Sequence, residues 1–216
     1  YARFLGERGL AHEARLTALA RAEAVILPQG CRKALYDMAT SLCPHVFPNY
    51  TARFRSPGKI GQAALFADHG LAFPCTRTFA AVNDFLAQTR YPESVLDFGF
   101  PLVFKFDWGG EGDSVFRVDS SAEFGRILDL AKQFERTGQK GFLLQEFVPT
   151  DGRSLRVAVI GNQRIAYWRV PSDPSRFGTA LAKGAAIDRD ADPDLKKKGL
   201  ALVNLLCETT GINLAG

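Results

Sequence analysis

FPLVFKFDWGGEGDSVFRV, Phe100 to Val118, reads as an apolar strand carrying one lysine, then a glycine-rich loop, then a second strand. Pro101 sits at the strand entry, where a missing N–H is tolerated. Leu102, Val103, Phe104 and Phe106 form a run of β-favouring apolar residues, which Lys105 interrupts. A lysine in a buried strand needs an anionic partner, because an unpaired buried charge is costly. Gly109, Gly110 and Gly112 follow, and Ser114 adds a hydroxyl. A loop so rich in glycine can turn its backbone N–H groups toward an anion and lie close against it. Val115, Phe116 and Val118 resume strand character. Two readings stand on this stretch alone. One is a hairpin lid that holds nucleotide phosphates; the other is an ordinary hairpin with a snorkelling lysine.

Two better-known phosphate-binding patterns are excluded. A protein kinase would carry its glycine loop before the strand lysine and its Asp-Phe-Gly far downstream, whereas Asp97-Phe98-Gly99 precedes Lys105 and no His-Arg-Asp is present. A P-loop fails because Gly58-Lys59 is followed by Ile60 and lacks the upstream glycine. Net charge is +4, which suits an anionic small ligand as well as a nucleic acid. The one basic run, Lys196-Lys197-Lys198, lies beside Asp188, Asp190, Asp192 and Asp194, so it reads as a solvated helix start rather than a nucleic-acid patch. Cys31, Cys43, Cys75 and Cys207 show no paired spacing, and neither do His12, His45 and His69. Neither zinc nor a disulfide framework is signalled, and reduced thiols in a cytoplasm are expected. No run reaches the length of a membrane span, and no secretory signal is seen. Tyr1 and Gly216 do not look like natural termini, so a piece of a longer protein is expected.

In chain order, the residues predict a helix over 5–24, a buried strand over 24–27, a helix over 32–42 and a strand over 45–47. That alternation suggests part of a parallel α/β layer whose first strand lies before Tyr1. Ser56-Pro57 opens a helix to about His69, with Ser56 as cap and Lys59 in the first turn. A lysine there opposes the helix dipole, so either an anionic neighbour or plain solvation is expected. Helix 80–90 precedes the hairpin, and Ser120 to Glu123 resembles a capping box for a helix to Arg136. A buried strand over 141–148 follows. Strands 155–160 and 163–170 are joined by the hairpin signal Gly161-Asn162, and a last helix over 192–210 stops at Gly211.

The order of these motifs carries more than any one of them. Lys59 opens a helix, Lys105 ends a strand before a glycine loop, and Gln145-Glu146-Phe147-Val148 ends another strand. Leu155-Arg156-Val157, Arg169, and Phe177 followed by Gly184 come next. From about Pro44 to Gly216 the chain resembles the ATP-grasp superfamily, closest to the RimK-like branch of ATP-dependent carboxylate–amine ligases. The resemblance implies an α/β (α+β) ATP-grasp fold. It implies a partial N-terminal layer over 1–55, a small nucleotide-binding subdomain over 56–147 and a larger, incomplete one over 148–216.

It also implies roles. Lys59 and Lys105 would bind the ATP phosphates as point charges, under a lid of Gly109, Gly110, Gly112 and Ser114. Gln145, Glu146, Phe147 and Val148 would form the linker against which adenine lies. Arg156 and Arg169 would face the transferred phosphate or a substrate carboxylate. Each has a plainer reading as well: Gln145-Glu146 as an exposed strand end, the arginines as partners across their hairpin. Ser154 stands in the nucleotide site where the branch usually has an acidic residue, with Asp151 near; Ala180 replaces a common asparagine, and Ser114 a frequent glycine. The branch's Mg2+ ligands follow the Gly-Ile-Asn-Leu-Ala-Gly segment, so they are expected beyond Gly216, and no metal ligand is assigned within the chain. The partners implied are ATP with a small-molecule or peptide carboxylate and an amine, with no nucleic acid and no membrane. Two alternatives remain at this level. One is a catalytically weakened nucleotide-binding module, favoured by Ser154 and Ala180; the other is a nucleic-acid-binding α/β protein, favoured only by mild basicity.

Overall fold

The computed structural model describes residues 12–88, 97–110, 112–173 and 177–216, arranged as helices around three small sheets. Helix α1 (His12–Ala20) lies within the predicted helix 5–24 and ends four residues earlier than predicted; the first residues of that prediction lie outside the described range. Strand β1 (Val25–Ile26) pairs in parallel with β2 (Val46–Phe47), and helix α2 (Lys33–Leu42) connects them, as the alternation implied. The burial expected of β1 holds only in part. Leu27 is buried, but Ile26 is 71% exposed, because two short strands cannot cover both of their faces. Tyr36, Tyr50 and Phe54 close this layer over Leu27 and Ala39, with Tyr50 and Phe54 edge to face at 6.1 Å. A short helix α3 (Thr51–Arg55), not anticipated, carries Phe54.

The quoted stretch forms an inner strand and the adjoining edge strand, β4 and β5, of an antiparallel sheet of order β3-β6-β4-β5, with β3 (Thr76–Phe79), β4 (Leu102–Phe106), β5 (Val115–Val118) and β6 (Phe142–Glu146). Strand alternation sends Leu102, Phe104 and Phe106 to one face. There they meet Phe142 and Leu144 of β6, Val82 and Phe85 of helix α5 (Val82–Gln88), and Phe124, Leu128 and Ala131 of helix α6 (Ser121–Arg136). Phe104 stacks on Phe142 at 4.7 Å and is wholly buried. Helix α6 starts as the capping box predicts: Glu123 N–H donates to Ser120 Oγ at 3.3 Å. The Glu123 carboxylate reaches back one residue further than expected and accepts from Asp119 N–H at 2.8 Å. The opposite face of the sheet carries Val103, Lys105, Leu143 and Gln145.

Helix α4 (Gly58–Asp68) corrects one expectation. Ser56 makes no side-chain cap; Pro57 is the cap residue, and Gly58 turns the chain in at φ +70°. The cap comes from far away in sequence: Asp107, just past β4, accepts from Ile60 N–H at 2.7 Å. A carboxylate at a helix N-terminus satisfies an orphan donor and meets the positive end of the dipole.

The last sheet has the order β10-β7-β8-β9, with β7 (Ser154–Ile160), β8 (Gln163–Val170), β9 (Ala186–Asp188) and β10 (Leu214–Ala215), all antiparallel. Gly161, at φ +58°, makes the predicted turn between β7 and β8. Helix α7 (Pro193–Thr210) covers one face and packs closely on it: a Cβ on Gly199 would stand 3.0 Å from the Leu155 side chain. Gly211 ends α7 in the left-handed conformation, its N–H donating to Cys207 carbonyl at 2.8 Å. Beyond it, the chain ties back to the first layer. Asn49 N–H donates to Asn213 Oδ1 at 2.7 Å, and Asn49 Nδ2 to Gly211 carbonyl at 3.0 Å. All four cysteines are free thiols. No helix among the described residues is long and apolar enough to cross a membrane.

Candidate nucleotide site

Lys105 stands half-buried on the sheet face that α5 and α6 leave free. Its Nζ donates to Gln145 Oε1 across the strand pair at 2.6 Å. That acceptor is neutral, and among the described residues no carboxylate pairs with the ammonium. Burial pushes its pKa below the ordinary lysine value, and the charges of Lys59 and Arg156 push it further the same way. Lys59, in the first turn of α4, is also lowered by burial, with Asp107 acting against the shift. Three cations from three elements therefore gather near one point.

The glycine loop is held by Lys59. Its Nζ donates to the carbonyls of Trp108 (2.8 Å) and Gly109 (3.2 Å) and to Ser114 Oγ (3.1 Å). Of the two expectations for Lys59, an anionic neighbour or plain solvation, neither holds at contact distance: loop oxygens take its Nζ, and Asp107 acts at longer range. Ser114, expected to add a hydroxyl donor to the loop, is 2% exposed, and its Oγ accepts from Lys59. Gly109, at φ +81°, has Ser114 Oγ 2.8 Å from where a Cβ would stand, so glycine is required. Gly110 and Gly112 are exposed; Asp113 N–H donates to Gly110 carbonyl at 3.1 Å. Asp113 in turn pairs with Lys183 at 2.7 Å, joining the loop to the turn before β9.

Strand β6 ends at Glu146, two residues earlier than predicted, and Phe147 and Val148 leave the sheet. Glu146 N–H donates to Cys75 carbonyl at 2.9 Å, while its side chain is exposed. The Arg117 guanidinium lies 4.7 Å from the centre of the Phe147 ring, and Phe177 lies 6.4 Å away on its other contact. Val148 is exposed.

The register of β7 and β8 sets Ser154 opposite Arg169 and Arg156 opposite Tyr167. Alternation then puts these four on one face, away from Leu155 and Val157, which meet α7. The two arginines share a face. The Nε of Arg169 is buried without a hydrogen-bond partner, and its guanidinium lies 5.9 Å from the Tyr167 ring centre. Ser154 Oγ and Thr179 Oγ1 are 2.5 Å apart. Asp151, the nearby acid, sits in a turn at φ +50°. Among the described residues no group of three or more His, Cys, Asp or Glu side chains could hold a metal ion.

Four residues of this constellation were missed by sequence reasoning: Thr76, Asp107, Thr179 and Lys183. Asp107 alone had a trace, as a carboxylate at the end of an apolar strand beside the glycine loop.

Two antiparallel sheets, one with a strand lysine and glycine hairpin and the other with two arginines on one face, are the layout that the ATP-grasp resemblance implies. The chain belongs to the RimK-like ATP-grasp domain family, whose profile matches residues 58–210. It is 25% identical over 162 residues to the alpha-aminoadipate–LysW ligase LysX of Saccharolobus solfataricus, covering 74% of this chain and 56% of that protein. Its fold is similar to that of an N5-carboxyaminoimidazole ribonucleotide synthetase in an ADP complex (TM-score 0.65, 12% identity, 94% of this chain and 52% of that one). It is also similar to the VanG D-Ala:D-Ser ligase of Enterococcus faecalis (TM-score 0.61, 16% identity, 82% of this chain and 51% of that one). The chain spans about half the length of these relatives.

Proposed function

We propose that this chain supplies the ATP-binding part of a ligase that joins a carboxylate to an amine through an acyl phosphate. A carboxylate oxygen attacks the γ-phosphorus of ATP, and the bond to the bridging oxygen breaks with its electron pair leaving on ADP. The amine nitrogen then attacks the acyl carbon, loses a proton, and phosphate departs with the C–O electron pair. Lys105 and Lys59 neutralise the phosphates, Lys59 exchanging its loop carbonyls for phosphate oxygens. The Gly109–Ser114 turn lies over them, and Ser154 sits at the edge of the same site. Gln145 and the 146–148 segment border the adenine. Arg156 and Arg169 orient the carboxylate and the phosphoryl group bidentately, as planar guanidinium groups can. This is positioning and charge neutralisation rather than covalent catalysis by the protein. The described residues hold no group of three or more His, Cys, Asp or Glu side chains that could hold a metal ion, and no step here is routed through Mg2+.

One observation carries the reading: Lys59, Lys105 and Arg156 converge, and among the described residues Lys105 has only a neutral acceptor. Clustered cations are unfavourable unless a polyanion joins them. The test compares the full-length protein with its Arg169→Ala variant, scoring phosphate release and a new amide by mass. Loss of the amide in the variant is the expected result. ADP formation that depends on neither carboxylate nor amine would overturn the ligase assignment. The Ser154–Thr179 hydroxyl pair, standing where the branch has an acid, favours a second reading: a module that binds ATP without ligation.

A further inference from the structure

We propose that Thr76 is a positioning residue of the nucleotide site, which fixes the amide of Gln145 with its oxygen toward the Lys105 ammonium. This rests on Lys105 being a phosphate ligand.

The argument is one of donors and acceptors. The Pro74 carbonyl can only accept, and Thr76 Oγ1 lies 2.7 Å from it, so the threonine proton is committed there. The remaining lone pairs of Thr76 face Gln145 Nε2 at 2.8 Å and accept from it. An amide held by its nitrogen presents its oxygen at the other end, and that oxygen lies 2.6 Å from Lys105 Nζ. Flipping the amide would set –NH2 against –NH3+ on one side and a carbonyl against a hydroxyl with no proton to give on the other. The chain Pro74, Thr76, Gln145, Lys105 thus has a single direction, and Pro74 at its origin is backbone.

The register makes the chain possible: Thr76 is the partner of Gln145 on β3, and Gln145 that of Val103 on β4, two residues from Lys105 on the same face. The charged groups about this face are Lys59 from α4 and Arg156 from β7, both acting on Lys105, Arg117 on the same face of β5, and Asp107 just past β4, which acts on Lys59. Three of these four are cations, and the ammonium is held below its ordinary pKa by burial and by Lys59 and Arg156. A fixed amide oxygen is then the neighbour that keeps the proton on Nζ before a polyphosphate arrives. Without it, Lys105 loses its proton at lower pH and binds anions less well. Thr76 touches no reacting atom; it acts through Gln145.

The experiment is ATP titration of the full-length protein by calorimetry from neutral to alkaline pH. Wild type, Thr76→Val, Thr76→Ser and Lys105→Ala are compared, with circular dichroism to confirm folding. In Thr76→Val we expect ATP affinity to fall about tenfold, as for loss of a hydrogen bond to a charged group. We also expect the alkaline loss of binding to begin at lower pH, and Thr76→Ser to restore both. If wild type binds ATP and Lys105→Ala weakens it, but Thr76→Val keeps the wild-type affinity and pH profile, the positioning role is refuted and the nucleotide site stands. If Lys105→Ala binds ATP as wild type does, the site assignment fails and the Thr76 role with it. Should Thr76→Val not fold, Gln145→Leu replaces it: the same fall and acid-ward shift support the chain, and an unchanged profile refutes it.

Discussion

Replacing Lys105 by methionine should make the protein more stable and bind ATP worse. The side chain is half-buried among cations, and its ammonium donates to a single neutral oxygen. A methionine of similar length keeps the packing against Val103 and Leu143 and removes a desolvated charge. Exchanging a buried charge for a well-packed hydrophobe gains about 1 kcal/mol, at the low end of such replacements because Gln145 Oε1 loses its donor and must find water. For a chain of this size that corresponds to about 2–4 °C in Tm. The pH dependence fixes the cause. The folded pKa of Lys105 is lowered from 10.5, so the folded state disfavours the bound proton. Wild-type stability is therefore reduced below the folded pKa and recovers as pH rises through that value toward 10.5. The advantage of Lys105→Met should be full near neutrality and shrink across that window. Thermal unfolding of both proteins at a series of pH values reads this directly. ATP affinity, by calorimetry, should fall by about 1–3 kcal/mol. A variant less stable than wild type at neutral pH, or an advantage that grows with pH, would refute the picture of Lys105 as a strained, unpaired cation.

Gly58→Ala should cost about 1–3 kcal/mol in denaturant unfolding, because φ is +70° and the new Cβ would overlap the Asp107 carboxylate that caps α4; an unchanged midpoint would show that the cap can move aside. Phe104→Ala should cost about 3–5 kcal/mol, since the ring is wholly buried between Phe106, Phe124 and Phe142; a loss under 1 kcal/mol, roughly the scale of an exposed site, would mean the core closes over the gap.

What could be read from residues was what neighbours in sequence decide. The hairpin at Gly161-Asn162, the stop at Gly211, the cap at Ser120 and the strand–loop–strand around Lys105 each rest on local rules, and each stands in the structure. Ser56 misled because a local cap rule competed with a carboxylate 47 residues beyond Ile60, which no window around α4 contains. Strand β9 is three residues long and mostly exposed at a sheet edge, so it leaves no alternation to detect. For the site, residue types marked Lys59, Lys105 and the arginines, but not their present partners. That Lys59 would tie down a loop 49 residues on depends on how α4 docks on the sheet, and that Thr76 would meet Gln145 depends on a register that pairs residues 69 positions apart.

The hydrogen bonds from Asn49 to Gly211 and Asn213 span 162 and 164 residues. On a ribosome adding about 5–20 residues per second, these donors wait on the order of ten to thirty seconds for their acceptors to be made. The aromatic layer of Tyr36, Tyr50 and Phe54 must hold its shape through that interval with one flank still facing water. The α/β layer is then made before both acceptors and is latched only once they appear. A nascent chain stalled before Asn213 would present it to chaperones and proteases unsecured, even with the Phe104 core already packed.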